Sequence, residues 1–176
     1  MTVPTEFPQW PDLIAEMCLL RRRVNEVDAD YEWTVPHAPA TPEQLDAAER
    51  RLGFPLDPQH RAFLGSGDGW PGFYLDNTLL SAEQIGEGFA WDALTEALDA
   101  FYGELGDPSA VPPKEEIYPI TFDQGGGSIF AIWTQGPIVN GGHPVLWLPW
   151  PDTEPYDNFF DFYRMVYQEY LAELPS

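Results

Sequence analysis

Three β-rich runs in the last third of the chain, Ile117–Phe122, Ser128–Trp133 and Pro144–Leu148, stand too close together for a crossover helix to fit between them. Gly125-Gly126-Gly127 separates the first two, and Asn140-Gly141-Gly142 precedes the third. A parallel pair needs a connection of roughly a dozen residues or more, so these runs predict antiparallel neighbours joined by glycine turns. Phe73-Tyr74-Leu75, just after Trp70, predicts a further strand, and Glu32-Trp33-Thr34-Val35 a short one. The steady βαβ alternation of a parallel sheet is missing, and no internal repeat is visible. The predicted class is α+β: a single domain with one mostly antiparallel sheet and helices packed on it.

The helices are marked by stripes and punctuation. Leu13, Met17, Leu20, Val24 and Val27 lie on one face of a helix over residues 12–27. Arg21, Arg22 and Arg23 fall near its end, where cations suit the helix dipole and can pair with nearby acids. Thr41 as N-cap, Pro42 at the first helical position and Gln44 at capping-box spacing open a second helix, which Gly53 ends. Asp57 and Pro58 open a third, anchored by Phe63 and Leu64 and stopped by the Gly65–Gly69 turn. Ser81–Gln84 predicts one helical turn. Trp91, Leu94, Leu98 and Phe101 predict a helix over 91–102, before a proline-rich loop over 103–113. The last helix, over 158–171, is aromatic on two faces and is predicted to be largely buried. Residues 1–11 read as a proline-rich arm ahead of a domain spanning 12–176; carrying no basic region, the arm is not expected to be a secretory signal.

Composition narrows the function. Lys and Arg number 8 against 29 Asp and Glu, a net charge of −21. Only Lys114 and Arg164 are cationic beyond residue 61. Such a surface repels phosphate backbones and anionic lipid, which argues against direct nucleic-acid binding and membrane attachment. The acidity is either a solubilising surface or a face for a basic protein partner. Cys18, the only cysteine, removes intrachain disulfides and cysteine-cluster zinc sites; it fits a reducing, cytoplasmic setting and reads as a packed thiol.

No catalytic pattern emerges. His37, His60 and His143 are far apart, without partners at metal-ligand spacing, and they read as structural or turn residues. Ser66 in Gly65-Ser66-Gly67 lacks the strand–turn–helix setting of a nucleophile elbow. Gly125-Gly126-Gly127-Ser128 lacks the Lys-Ser/Thr ending of a phosphate loop and leads into a strand. Asp152-Thr153-Glu154 lacks a calcium-loop pattern. Neither catalytic residue, metal nor cofactor is expected.

One stretch carries a resemblance. Thr41-Pro42-Glu43-Gln44-Leu45, Ala48-Glu49-Arg50-Arg51-Leu52-Gly53-Phe54, Leu56, Pro58, Phe63-Leu64 and Asp68-Gly69-Trp70 together resemble the SUKH superfamily. That superfamily includes the yeast Smi/Knr cell-wall-synthesis regulators and many bacterial toxin-immunity proteins. Glu49 matches the central Glu of the first capped helix, and Asp68-Gly69 stand where Asn-Gly is usual. Asp57 intrudes before Pro58, and the strand ending in Ile132-Trp133 lacks the polar residue members often carry there. The resemblance extends in outline over about residues 12–174. It implies a non-enzymatic binding domain: an immunity protein that neutralises a cognate toxin, a nuclease being one type, or a regulatory module with a cellular partner and no toxin. An enzyme with unrecognised carboxylate chemistry is the least supported reading.

For the partner surface, the sequence offers the proline-stiffened segment 147–160. Trp150 and Tyr156 are its aromatic anchors, and Asp152, Glu154 and Asp157 surround them. Asp68, Asp76 and Asp123 add acids on turns. The same two aromatics equally suit a cap over the core. Glu49 is expected near the sheet or the Asp68-Gly69 turn rather than free in solvent, and Phe63 and Trp70 are expected to anchor the core.

Overall fold

The computed structural model describes residues 9–125, 127–148 and 153–175. Helix α1 spans Trp10–Val27, α2 Pro42–Leu52 and α3 Pro58–Leu64. Strands β1 (Trp70–Tyr74) and β2 (Asn77–Leu79) follow, then a 3-10 turn at Ala82–Gln84 and helix α4 at Phe89–Glu104. Strands β3 (Ile117–Pro119), β4 (Thr121–Asp123), β5 (Ile129–Trp133) and β6 (Val145–Leu148) lead to α5, Phe159–Ala172.

The strands are antiparallel, as expected, in an α+β domain. They form two ladders, β1-β2-β4 and β3-β5-β6, where one sheet was expected. The run 117–123 belongs to both. At Ile120 the amide donates to Phe130 O (2.8 Å), while the carbonyl accepts from Leu80 N (2.9 Å). The Thr121 hydroxyl then takes the Phe130 amide at 3.0 Å, and β4 departs to pair with β2. Pairing therefore changes partner at a single residue. The stretch 32–35 forms no strand: it runs beside β1, but Thr34 reaches Pro71 O through its side-chain hydroxyl, and no backbone bond pairs the two among the described residues.

Local signals gave the helix ends. Thr41 and Gln44 make the full capping box, and Gly53 closes α2 at φ 81°. Asn140 and Gly141, at φ 52° and 81°, make the tight turn between Val139 and Gly142. Gly69 is needed: at φ +79° its hypothetical Cβ would lie 2.7 Å from Leu79 O. Trp10 and Pro11, assigned to the arm from sequence, open α1, since proline suits a first turn and Trp10 is buried. Val27 leaves the expected stripe and is exposed in the last turn of α1.

The core is aromatic. Phe159, Phe160, Phe162, Tyr163, Val166, Tyr167 and Tyr170 of α5 are all buried, as its two aromatic faces predicted. Phe162 meets Phe130 of β5 at 4.7 Å between ring centres. The Tyr163 hydroxyl donates to Leu13 O of α1, and that of Tyr170 to Phe73 O of β1. Trp10 packs against Phe63, Phe159 and Tyr163. Phe63 and Trp70 are fully buried anchors.

An acidic cleft as candidate functional site

The 3-10 turn at Ala82–Gln84, the start of α4, and strands β2 and β4 enclose a cleft of about 880 Å³. Its carboxylates come from Asp68, Asp76, Glu83 and Glu87, and its aromatics from Phe89 and Phe122. The scaffold holds this acid in place. Arg51 of α2 donates to Ile85 O (2.8 Å) and Ala82 O (2.6 Å), fixing the 82–85 backbone, and lies 3.4 Å from Glu87. Glu83 accepts from Gln44 Nε2 at 3.2 Å. Phe89 stays 78% exposed, with the Phe122 ring edge-on at 6.2 Å.

The structure sorts the predicted residues by what already occupies them. Asp68 is buried in the cleft wall and accepts the Ala82 amide at 2.6 Å. Burial pushes its carboxyl up, and that amide draws it back down. Asp123 takes the Gly125 and Gly127 amides at 2.8 and 3.1 Å, which organises the glycine turn. Asp76 is exposed on the two-residue turn between β1 and β2. Asp68 and Asp76 thus meet in the cleft, and Asp123 lines a smaller hollow beside Phe89 and Phe122. Tyr156 is half-buried, bridges to Val145 and packs on Phe162 at 5.6 Å, so it caps the core. Glu154 and Asp157 are exposed. Trp150 and Asp152 lie outside the described residues.

Phe89 is the residue that sequence reasoning missed, because the helix was expected to begin at Trp91. Helical phase would have found it: at ~100° per residue, Phe89 lies opposite the buried Leu94–Leu98 face. The neighbouring turn is strained as well. Leu75 is 62% exposed and sits at φ 52°, a left-handed conformation that disfavours a leucine. Leu75→Asn, which tolerates that backbone, is expected to raise stability by about 0.5–1 kcal/mol, read as a higher urea midpoint with an unchanged slope.

Other sequence features resolve into structure. Glu49 accepts the Leu56 amide at 3.0 Å and pairs with Arg61 at 3.1 Å, so it ties α2 to α3 and does not reach the Asp68-Gly69 turn. It is still close enough to Tyr118 of β3 to raise that phenol, behind burial and Asp57. The intruding Asp57 caps α3 through the His60 amide (3.0 Å) and receives both the amide and Nδ1 of His143, at 2.7 and 2.9 Å. His143 thereby fastens the loop before β6 to α3. Burial pushes the Cys18 thiol up, away from a reactive thiolate. Among the described residues, no group of three or more His, Cys, Asp or Glu side chains is placed to hold a metal, and no helix is long and apolar enough to cross a membrane.

No curated protein matches the chain. The profile of the SMI1/KNR4 family (SUKH-1) matches residues 39–165, from just ahead of α2 to the middle of α5, and leaves α1 outside. This is narrower than the span over which the sequence resembled the superfamily, yet it covers the capped helices, both ladders and the lining of the cleft apart from His37. The chain belongs to the SMI1/KNR4 family (SUKH-1).

Proposed function

We propose that the chain is a non-enzymatic protein-binding module of the immunity type, which neutralises a basic toxin domain by laying its acidic cleft against it. Phe89 carries this reading. An aromatic left in water beside Asp76, Glu83 and Glu87 has the composition of an interface anchor with a steering rim. The net charge of −21 extends that steering beyond the contact. A nuclease is basic where it grips nucleic acid, so an acidic cleft competes with phosphate for the same surface. Family membership is consistent with an immunity-type role.

The test begins with the neighbouring gene. If it encodes a toxin domain, co-expression with this chain should protect growth. Phe89→Ala should weaken the complex by about 2 kcal/mol or more. Asp76→Lys/Glu87→Lys should slow association and flatten its salt dependence. All three side chains are exposed, so the melting temperature should hold. Asp152→Lys/Glu154→Lys is the companion pair: if it slows association and the cleft variants do not, the 147–160 segment is the partner surface. A cellular partner captured with no toxin beside the gene would favour the regulatory module instead.

A further inference from the structure

Arg21 was expected to sit at a helix end and pair with acids. It is instead 1% exposed, and no carboxylate lies within ion-pair distance among the described residues. Its guanidinium lies 5.0–5.6 Å from the ring centres of Tyr170, Trp70 and Tyr31. Nε donates to the Tyr31 hydroxyl at 2.5 Å and Nη2 to Gly72 O at 2.7 Å. Nη1 has no partner. A guanidinium has five donors in a fixed plane, and a buried charged donor without an acceptor is costly. This one lines a cavity of about 620 Å³ between α1, the β1–β2 turn and α5.

The cavity has a floor and a rim of opposite sign. Asp30, Glu32, Asp76, Glu169 and Glu173 line it together with Arg21. A simple anion is repelled by those five carboxylates before it meets the guanidinium. A simple cation suits the rim and leaves Nη1 unanswered. The complementary ligand carries both: a carboxylate for Nη1 and positive charge for the rim. Asp76 and Thr78 line this cavity and the acidic cleft alike, so one extended segment can run from one into the other.

The geometry points to a subsite for the C-terminal carboxylate of a basic protein segment, with Arg21 as its floor. This rests on the reading of the chain as a binder of a basic partner. It adds that the partner is held by a chain end whose last residues are Lys or Arg. Charge-assisted bonds to a guanidinium are among the stronger polar contacts, and here the donor is already desolvated and held by its ring neighbours.

Two peptides test it with the intact protein: acetyl-Ala-Lys-Lys with a free carboxylate, and the same peptide as its C-terminal amide, compared by titration calorimetry. Bulk electrostatics alone favours the amide, which carries one more net positive charge. The subsite predicts the reverse, with the free acid binding about tenfold tighter. Glu169→Gln/Glu173→Gln should weaken both peptides and leave the free acid the tighter binder, whereas Arg21→Gln should leave the amide the tighter. Should Arg21→Gln fail to fold, the wild-type ratio decides by itself. An amide that binds as tightly as the acid overturns the subsite and leaves the acidic cleft standing. Free lysine or acetate binding as tightly as the peptide overturns it too, by making the cavity a small-molecule site. Loss of growth protection in the cleft variants is a separate result that does not depend on either peptide.

Discussion

Phe63→Ala lowers the free energy of unfolding by about 3–5 kcal/mol. The ring is fully buried and lies 5.3 Å from Trp10, 5.2 Å from Phe159 and 6.2 Å from Tyr163, between ring centres. Its removal takes a contact from α1 and α5 at once. These neighbours are held by other bonds: Tyr163 by Leu13 O, and α5 by the Asn158 cap on the Asp161 amide. They cannot close freely over the gap, so a cavity cost adds to the lost burial. A domain of this kind has about 5–15 kcal/mol in total, so the variant stands near the edge of folding at 37 °C. Chemical denaturation measures it; an unchanged midpoint would remove Phe63 from the core.

Acid should weaken the fold through His60 by about 3 kcal/mol between pH 7 and pH 4. Burial drives its imidazole from 6.5 down to about 4, against a smaller upward pull from Asp57. Between those values the unfolded chain takes up a proton that the native state refuses. Stability present above pH 6.5 is therefore lost as the pH falls toward 4. The bonding explains the refusal. The Tyr118 hydroxyl accepts the Asp57 amide at 3.1 Å and has its own proton to donate to His60 Nδ1 at 3.0 Å. A proton on Nδ1 would face that hydroxyl proton, while Nε2 has no acceptor among the described residues. Asp68 works in the opposite direction, because its raised carboxyl is relieved as it protonates. Comparison with His60→Gln separates the two: the variant is less stable throughout, and its stability should fall less steeply from pH 7 to 4. Parallel pH profiles would mean that His60 titrates normally in the fold.

The acidic cleft was half visible before the structure. Asp68 and Asp76 stand out as acids on turns, but nothing in their positions tells that one is taken up by the Ala82 amide and the other left free. Asp123 likewise looks available until its two glycine amides are seen. An acid that caps a turn and one that awaits a partner are the same letter; the amide partner distinguishes them, and for Asp68 it comes from another element. Tyr156 shows the same ambiguity for aromatics, its half-buried ring packing on Phe162.

What the sequence determined by itself is whatever short-range chemistry decides. The Thr41–Gln44 capping box, the Asp57 cap, the Gly53 stop and the Asn140-Gly141 turn form where residues three or four apart satisfy one another. The aromatic faces of α5 and the antiparallel pairing follow from periodicity and short connections. The fate of Arg21 was decided only by tertiary structure. Its neighbours in sequence, Arg22 and Glu26, form the surface ion pair the helix predicts. Arg21 itself points at Tyr31, Gly72 and Tyr170, residues brought together from the α1–α2 connection, β1 and α5. The change of pairing at Ile120 has the same origin, for its two bonds go to Leu80 and Phe130 in different ladders. Periodicity says which face of an element is apolar, but the acceptors and rings that face meets come from distant parts of the chain, and only the closed fold supplies them.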